Sequence, residues 1–431
     1  MSAADPLLPK ETRRMTRSRR TVGAALAAVA ALLTACADPA EILSPPDTPE
    51  GQLFRSYVAL GNSITMGFQS GGVNDSTQRR SFAFLFAQQL YGADVDERWA
   101  YPALAMPGCP PPIANFQTLA RVGGATSTGA TCLLRDESRA SAVLNNVAWY
   151  GAFSVDPFTP VTTQAVPYPT LVLGGRTQVQ RALEAEPTFA TVWFGNNDVL
   201  PAAQSGILPA TAGVSPGVTT VATLTTNINR IVDDLVAGAP GLEGALFGVV
   251  NVTNAPTFFP AAALFNPAFK AGFEAYTGRA VTLLPTCTPT TTSLLNFIAI
   301  VPAIRGGTHP AVIGCEKNSV PGTLVGDVYV LDAAELATLS TTVAAYNTAI
   351  QAAATRLDWA YVDPNPTLVQ LRASGGITVV PNLASPTAIF GEYMSLDGTH
   401  PGNKAHVLIA NLLIDAVNAK YDTNVEKLPN P

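Results

Sequence analysis

Along the chain, short unbroken apolar runs alternate with longer stretches in which apolar residues recur every three or four positions. The runs Tyr57–Leu60, Phe189–Phe194, Ala245–Val252 and Ala360–Asp363 are rich in β-branched and aromatic residues and lead into Gly, Asn or Asp, so each reads as a buried strand. Val95–Met106 reads as a further strand leading to Gly108, with Pro102 disturbing its register. The helical stretches are Ser81–Tyr91, Leu173–Ala185, Val218–Ala237, Glu335–Leu357 and a C-terminal segment after His400 that carries Ala405, Leu408, Leu412 and Val417. In Val218–Ala237 the apolar positions Leu224, Ile228, Ile231 and Leu235 mark one face, and Gly238 is its stop. Five strands alternating with helices predict an α/β fold, a three-layer α/β/α sandwich around a mainly parallel five-stranded sheet. Open sheets of this kind place their sites along the carboxyl edge of the strands.

The periodicity lapses twice, at about 110–169 and 257–328, where Gly, Thr, Ser and Pro mix with scattered aromatics. These read as insertions into one domain spanning 55–425, since no linker or internal repeat divides it. Within the second insertion, the apolar run Leu294–Pro302 is too short to span a bilayer. It either covers a site or forms the insertion's own small core.

Composition separates the first residues from the rest. The 431 residues are 47% hydrophobic and 8% aromatic, enough for a large core. Residues 1–35, however, place Lys10, Arg13, Arg14, Arg17, Arg19 and Arg20 before an Ala-rich apolar run, the pattern of an export signal. Its end, Leu33-Thr34-Ala35-Cys36, resembles the bacterial lipobox, which implies that Cys36 is lipid-modified and that residues 36–54 are a tether. The expected place is the bacterial cell envelope, with the membrane engaged through the lipid on Cys36. Without residues 1–35 the balance is 19 basic against 29 acidic residues. That deficit excludes the broad phosphate-neutralising surface of a nucleic-acid binder, and electrostatic adhesion to an anionic bilayer.

The other cysteines, Cys109, Cys132, Cys287 and Cys315, form an even set in an exported chain and read as two disulfides. Three pairings can be drawn. Cys109 with Cys132 and Cys287 with Cys315 are favoured, because each closes a local loop. No Cys-x-x-Cys unit and only three histidines argue against a metal site.

Candidate chemistry gathers in three blocks. Tyr57-Val-Ala-Leu-Gly-Asn-Ser63 is a strand stopped abruptly to present a hydroxyl. Ser395-Leu-Asp-Gly-Thr-His-Pro401 carries an acid and an imidazole three residues apart. Thr191-Val-Trp-Phe-Gly-Asn-Asn-Asp198 again runs from a strand into a polar loop and offers the amide of Asn197. A serine hydroxyl needs a general base and a third group that holds the base in the right tautomer, roles that His400 and Asp397 can fill for Ser63. An amide at Asn197 could donate to an oxyanion. Two other histidines compete. Thr308-His309-Pro310 imitates Thr399-His400-Pro401 but has Gly306 where the acid should stand, and His406 on the following helix reads as a surface or packing residue. Asp198 reads as a carboxylate that holds its loop.

These blocks resemble those of the SGNH hydrolases, the GDSL family of esterases and lipases. Gly61-Asn62-Ser63-Ile64, the glycine in Met106-Pro107-Gly108-Cys109, Gly195-Asn196-Asn197-Asp198 and Asp397-Gly-Thr-His400-Pro401 occur in the expected order. The resemblance implies the corresponding fold and a serine esterase or lipase with a Ser63, His400, Asp397 triad. It also implies an oxyanion hole of the Ser63 and Gly108 N–H groups with the Asn197 side chain, an ester substrate and no cofactor. A carbohydrate acetylesterase, an acyltransferase or a non-catalytic binding lipoprotein are the alternatives. One departure stands out: Asn62 occupies a position usually held by Asp, keeping the acceptor and losing the charge.

Overall fold

The computed structural model describes residues 49–124, 135–159, 169, 173–208, 217–318 and 320–431. The segment 1–35, Cys36, the tether up to residue 48 and Cys132 lie outside the described residues. Two compact units are distinguished, Met1–Gln52 and Leu53–Pro431. Of the first, only the start of a short helix, Pro49–Leu53, is described. The sheet, the cores and the candidate site all belong to the second.

Four strands, β1 (Tyr57–Gly61), β2 (Phe189–Trp193), β3 (Glu243–Phe247) and β4 (Ala360–Val362), lie side by side in that order, every neighbouring pair parallel. Their side chains alternate between two apolar cores. Val58, Leu60, Ala190, Val192 and Leu246 enter one, while Tyr57, Phe189, Trp193, Phe247 and Val362 enter the other. Burial on both faces explains why these strands read as continuous apolar runs.

After β1 come a single helical turn, α1 (Ser63–Met66), and α2 (Phe82–Tyr91). Further along are α3 (Gln178–Leu183), α4 (Val221–Gly238) and α5 (Ala333–Leu357). The last two helices are α6 (Asn365–Ser374) and α7 (Asn403–Tyr421). Helices α3, α4 and α5 cover the first core, and α2 and α7 cover the second, which makes the three layers. Caps are local: Ser81 Oγ accepts from the Phe84 N–H at the start of α2, and Asp332 and Glu335 form a capping box on α5. In α4 the buried positions Leu224, Ile228, Ile231 and Leu235 are those its spacing predicts. Each such burial contributes roughly 1.5–3 kcal/mol.

The expected strand in Val95–Met106 is a correction. Val95–Arg98 forms a helical turn, and Trp99 donates its indole N–H to Tyr57 O at 3.1 Å. The free edge of β1 is taken instead by residues 145–147. Ala59 N–H donates to Asn145 O at 2.7 Å, Val147 N–H donates to Ala59 O at 3.0 Å, and Ala59 pairs in parallel with Asn146. The fifth place in the sheet is therefore a single bridge rather than a full strand. Pro102 has no N–H to place in a ladder, and the Trp99 indole, not a strand backbone, meets Tyr57 O.

Strand β3 is also shorter than its apolar run. Beyond Phe247, the backbone of Val249–Asn251 is satisfied by asparagine side chains. Asn347 Oδ1 accepts from Val249 N–H at 2.6 Å, Asn196 Oδ1 from Val250 N–H at 2.9 Å and Asn365 Oδ1 from Asn251 N–H at 2.7 Å. These amides replace ladder partners where the strands diverge.

The second insertion contributes most of a third core, completed from outside it by Phe116, Ile389, Phe390 and Leu396. A three-stranded antiparallel sheet of Phe258–Pro260, Leu294–Asn296 and Val330–Leu331 packs with the helices Pro267–Thr277 and Phe297–Arg305 around Phe259, Phe273, Phe297 and Phe390. The Cys287–Cys315 disulfide lies in this region. Cys109 is also disulfide-bonded. Of the apolar run Leu294–Pro302, Leu295, Ile300 and Val301 are buried in the insertion, whereas Ile298 is exposed.

Candidate active site

At the end of β1 the backbone of Gly61 is held from both sides by one residue. Gln178 on α3 accepts from the Gly61 N–H and donates to Gly61 O, each at 3.1 Å, and is fully buried. Asn62 then caps α1, its Oδ1 accepting from the Ile64 N–H at 3.1 Å, so the acceptor retained in place of the usual Asp does the capping. Gly67, at φ +88°, ends the turn where a Cβ would lie 2.7 Å from Thr77 O. Ser63 is thus the first residue of a one-turn helix at the carboxyl edge of the sheet, buried apart from a small exposed area.

Residues far apart in sequence meet there. His400 Nε2 lies 2.9 Å from Ser63 Oγ, and His400 Nδ1 lies 2.9 Å from Asp397 Oδ2. With Nδ1–H donating to the carboxylate, Nε2 is left as the acceptor for the serine hydroxyl. The imidazole also packs on Phe68, with ring centroids 4.9 Å apart.

Asp397 is held by five hydrogen bonds. Oδ1 accepts from Ser395 Oγ–H at 2.9 Å, Thr399 N–H at 2.9 Å and His400 N–H at 2.8 Å. Oδ2 accepts from Gly71 N–H at 2.8 Å and from His400. Burial raises the Asp397 pKa, but the adjacent His400 charge and these donors outweigh it and hold the carboxyl below the usual carboxylate range. Loop 69–72 is in turn tied to the same segment, because Ser395 Oγ accepts from Ser70 N–H and Ser70 Oγ accepts from Leu396 N–H.

Asn197 stands at the end of β2, its Nδ2 donating to Ala152 O at 2.9 Å. An amide nitrogen has two hydrogens, so this bond aims the group and leaves one for a substrate oxygen. Asp198 is fully buried and accepts from Ser154 Oγ–H and N–H at 2.7 and 2.9 Å, which makes it the loop-holding carboxylate that its sequence suggests. Burial raises its pKa, with the Ser154 hydroxyl opposing.

Gly108, the glycine that the motif implies for the oxyanion hole, lies buried against Val73 and Asn74, where a Cβ would come within 2.5 Å of Val73 O, and it is not among the residues that line the two cavities at Ser63. Two glycines line the cavity beside Ser63, Asn197 and His400: Gly71, whose N–H is taken by Asp397, and Gly151, at φ +87°. Gly151 follows directly on the segment that bridges the edge of β1, so it occupies the loop after the sheet's fifth position. The signal was present in the sequence, since Asn146-Val-Ala-Trp-Tyr-Gly151 is another apolar run closed by a glycine. His309 lies in the insertion against Tyr329. His406 is completely buried, its Nδ1 accepting from Phe82 N–H at 3.1 Å, so it is a packing residue and not a surface one.

A family model described as GDSL-like Lipase/Acylhydrolase matches residues 57–413. The chain belongs to that family. It is an ester-bond hydrolase. Among solved structures, the GDSL hydrolase is similar to a putative GDSL-like lipase from Parabacteroides merdae at 10% identity and a TM-score of 0.35, with 85% of this chain and 96% of that one covered. It is also similar to an extracellular lipase from Streptomyces rimosus at 13% identity and a TM-score of 0.33, covering 84% and 99%. An acetylxylan esterase from Geobacillus stearothermophilus stands at 10% identity and a TM-score of 0.37, covering 87% and 97%. No curated protein matches the chain in sequence.

Two cavities meet at the serine of this GDSL hydrolase. One, of about 110 Å³, runs from Ser63 and His400 past Trp193 and Val250 between α6 and α7. The other opens outward and is lined by Phe68, Gly71, Tyr150, Gly151, Gln204 and Ile298. Ser63, Asn197 and His400 are common to both.

Proposed function

We propose that the protein hydrolyses carboxylic esters through an acyl-enzyme on Ser63. The observation that supports this most directly is the hydrogen-bonded series Asp397, His400, Ser63, with both links at 2.9 Å. Ser63 Oγ attacks the ester carbonyl carbon as its proton passes to His400 Nε2. The carbonyl oxygen becomes an oxyanion, stabilised by the Ser63 and Gly151 N–H groups and Asn197 Nδ2. Collapse breaks the bond to the alcohol oxygen, which leaves with the proton from His400. Water then gives a proton to His400 and attacks the acyl-enzyme, and the acid departs as Ser63 recovers its proton.

Ser63→Ala is expected to abolish hydrolysis of a short nitrophenyl ester while the protein still folds, and a fluorophosphonate is expected to label Ser63 in the wild type only. Wild-type turnover by Ser63→Ala would overturn the assignment.

The basic-then-apolar pattern of residues 1–35 and the Leu33-Thr34-Ala35-Cys36 sequence support export and a lipid anchor on Cys36. Mass spectrometry of the envelope-associated protein is expected to find a diacylglyceryl group on Cys36. Release of unmodified protein from intact cells would contradict it.

A further inference from the structure

The first insertion reaches the triad through the turn from Gln69 to Gly72. These two residues exchange backbone hydrogen bonds at 2.8 and 3.2 Å, and the pair between them, Ser70 and Gly71, is left-handed at φ +56° and +63°. A serine keeps that conformation only where its surroundings over-determine it. On one side of the turn, the Ser70 N–H donates to Ser395 Oγ at 2.9 Å and the Gly71 N–H to Asp397 Oδ2 at 2.8 Å. On the other side the carbonyls accept from the hairpin of Ile113–Asn115 and Ala120–Arg121. Ser70 O accepts from the Ile113 N–H at 2.8 Å, and Gly71 O accepts from Arg121 Nη1 at 3.1 Å. The turn also packs on the foot of the hairpin, since a Cβ at Gly72 would lie 2.4 Å from Pro110 O. It thus links the insertion to Asp397 Oδ2, the oxygen that His400 Nδ1 faces at 2.9 Å.

The guanidinium of Arg121 is used on backbone. Its Nη1 donates to Pro111 O as well as to Gly71 O, and burial lowers its pKa with no carboxylate acting against this. An ionised donor holds a carbonyl more firmly than a neutral one does. Arg121 is not among the residues that line the two cavities at Ser63, so it is placed to act through the turn and not on the substrate. We propose that Arg121 is a positioning residue for ester hydrolysis: by fixing the Gly71 carbonyl it keeps the Gly71 N–H on Asp397, and Asp397 against His400. This rests on the reading of Ser63, His400 and Asp397 as the triad. The first insertion is then a brace for the catalytic acid.

The test is a double-mutant cycle on nitrophenyl acetate with the full chain, using Arg121→Met and Asp397→Asn singly and together. Arg121→Met is expected to lower kcat roughly tenfold or more, the scale of a small misplacement of a catalytic group, while KM changes less than about twofold. Arg121→Lys, which keeps a charged donor on a long stem, is expected to recover most of that loss. In the Asp397→Asn background, Arg121→Met is expected to change kcat less than about twofold, because the carboxylate it serves is gone and the two effects cannot add. Circular dichroism checks that each variant is folded, and Arg121→Gln takes the place of Arg121→Met if the latter is not. An equal loss in both backgrounds would show that Arg121 acts elsewhere, and unchanged kcat in the single variant would show that it does not act at all; either overturns the inference. Wild-type kcat in Asp397→Asn alone would instead overturn the triad reading on which it rests.

Discussion

Gln178 and Gly61 exchange two hydrogen bonds, N–H to Oε1 and Nε2–H to O, each at 3.1 Å and both buried. The helix α3 thereby fixes the last residue of β1, two positions before the serine. Gln178→Leu would leave a buried N–H and a buried C=O without partners, at a cost of about 1–3 kcal/mol for each group. Urea denaturation is expected to show a loss of several kcal/mol. Because Ser63 depends on that strand end for its position, kcat is expected to fall more than KM rises. An unchanged midpoint would mean that water replaces the amide without penalty.

Asp397→Asn tests the tautomer argument. The amide keeps an acceptor but cannot supply the charge, and its NH₂ can turn toward His400 Nδ1 and force the proton onto Nε2. The expected result is a fall in kcat of about 10³–10⁴-fold with little change in KM. Equal losses in binding and turnover would indicate that the loop from Ser395 to His400 had moved instead.

His406 gives a stability signature. Burial pushes its pKa down to about 3, and the charge on His400 adds to the effect. Between the ordinary histidine range near 6.5 and that value, the unfolded chain binds a proton that the folded chain does not. Stability from this residue is therefore complete above the ordinary range and declines by about 1.4 kcal/mol per pH unit as pH falls through the window. His406→Asn, which keeps an acceptor for Phe82 N–H, is expected to flatten that dependence between pH 6.5 and 5. Asp397 acts in the same direction but lower down, since a carboxyl held below its usual range loses its contribution only as pH falls through that range. Denaturation curves across this range, wild type against variant, provide the check.

Gly151 and Gly108 are expected to separate cleanly on substitution. Gly151→Ala forces a side chain into a positive-φ conformation beside the serine, at about 1–2 kcal/mol, and is expected to lower kcat. Gly108→Ala places a Cβ 2.5 Å from Val73 O and is expected to destabilise the loop while the folded fraction turns over normally. The reverse pattern, with activity lost at Gly108 and kept at Gly151, would restore the assignment implied by the sequence motif.

Ser63, Asn197, Asp397 and His400 were legible in the amino-acid order as candidates because each is announced by its immediate neighbours. A strand ending in Gly-Asn-Ser and an acid three residues before an imidazole are local patterns, and the strand and helix periods that build the layers are local too. The edge of the sheet was not, and Gly151 could not be told there from the other apolar runs closed by a glycine. Which segment pairs with β1 depends on whether Trp99 or a backbone reaches Tyr57 O, and on the chain at Asn145–Val147 closing the edge instead. Those are contests between groups tens of residues apart, decided by packing. The clamp of Gln178 on Gly61, the asparagines that replace ladder partners beyond β3 and the cavity between α6 and α7 likewise arise only when separate elements are brought together. Sequence alone determined the chemistry the chain can perform. The tertiary structure decided which segment closes the edge of β1 and which residues line the cavities at Ser63, because both depend on distances that no local pattern contains.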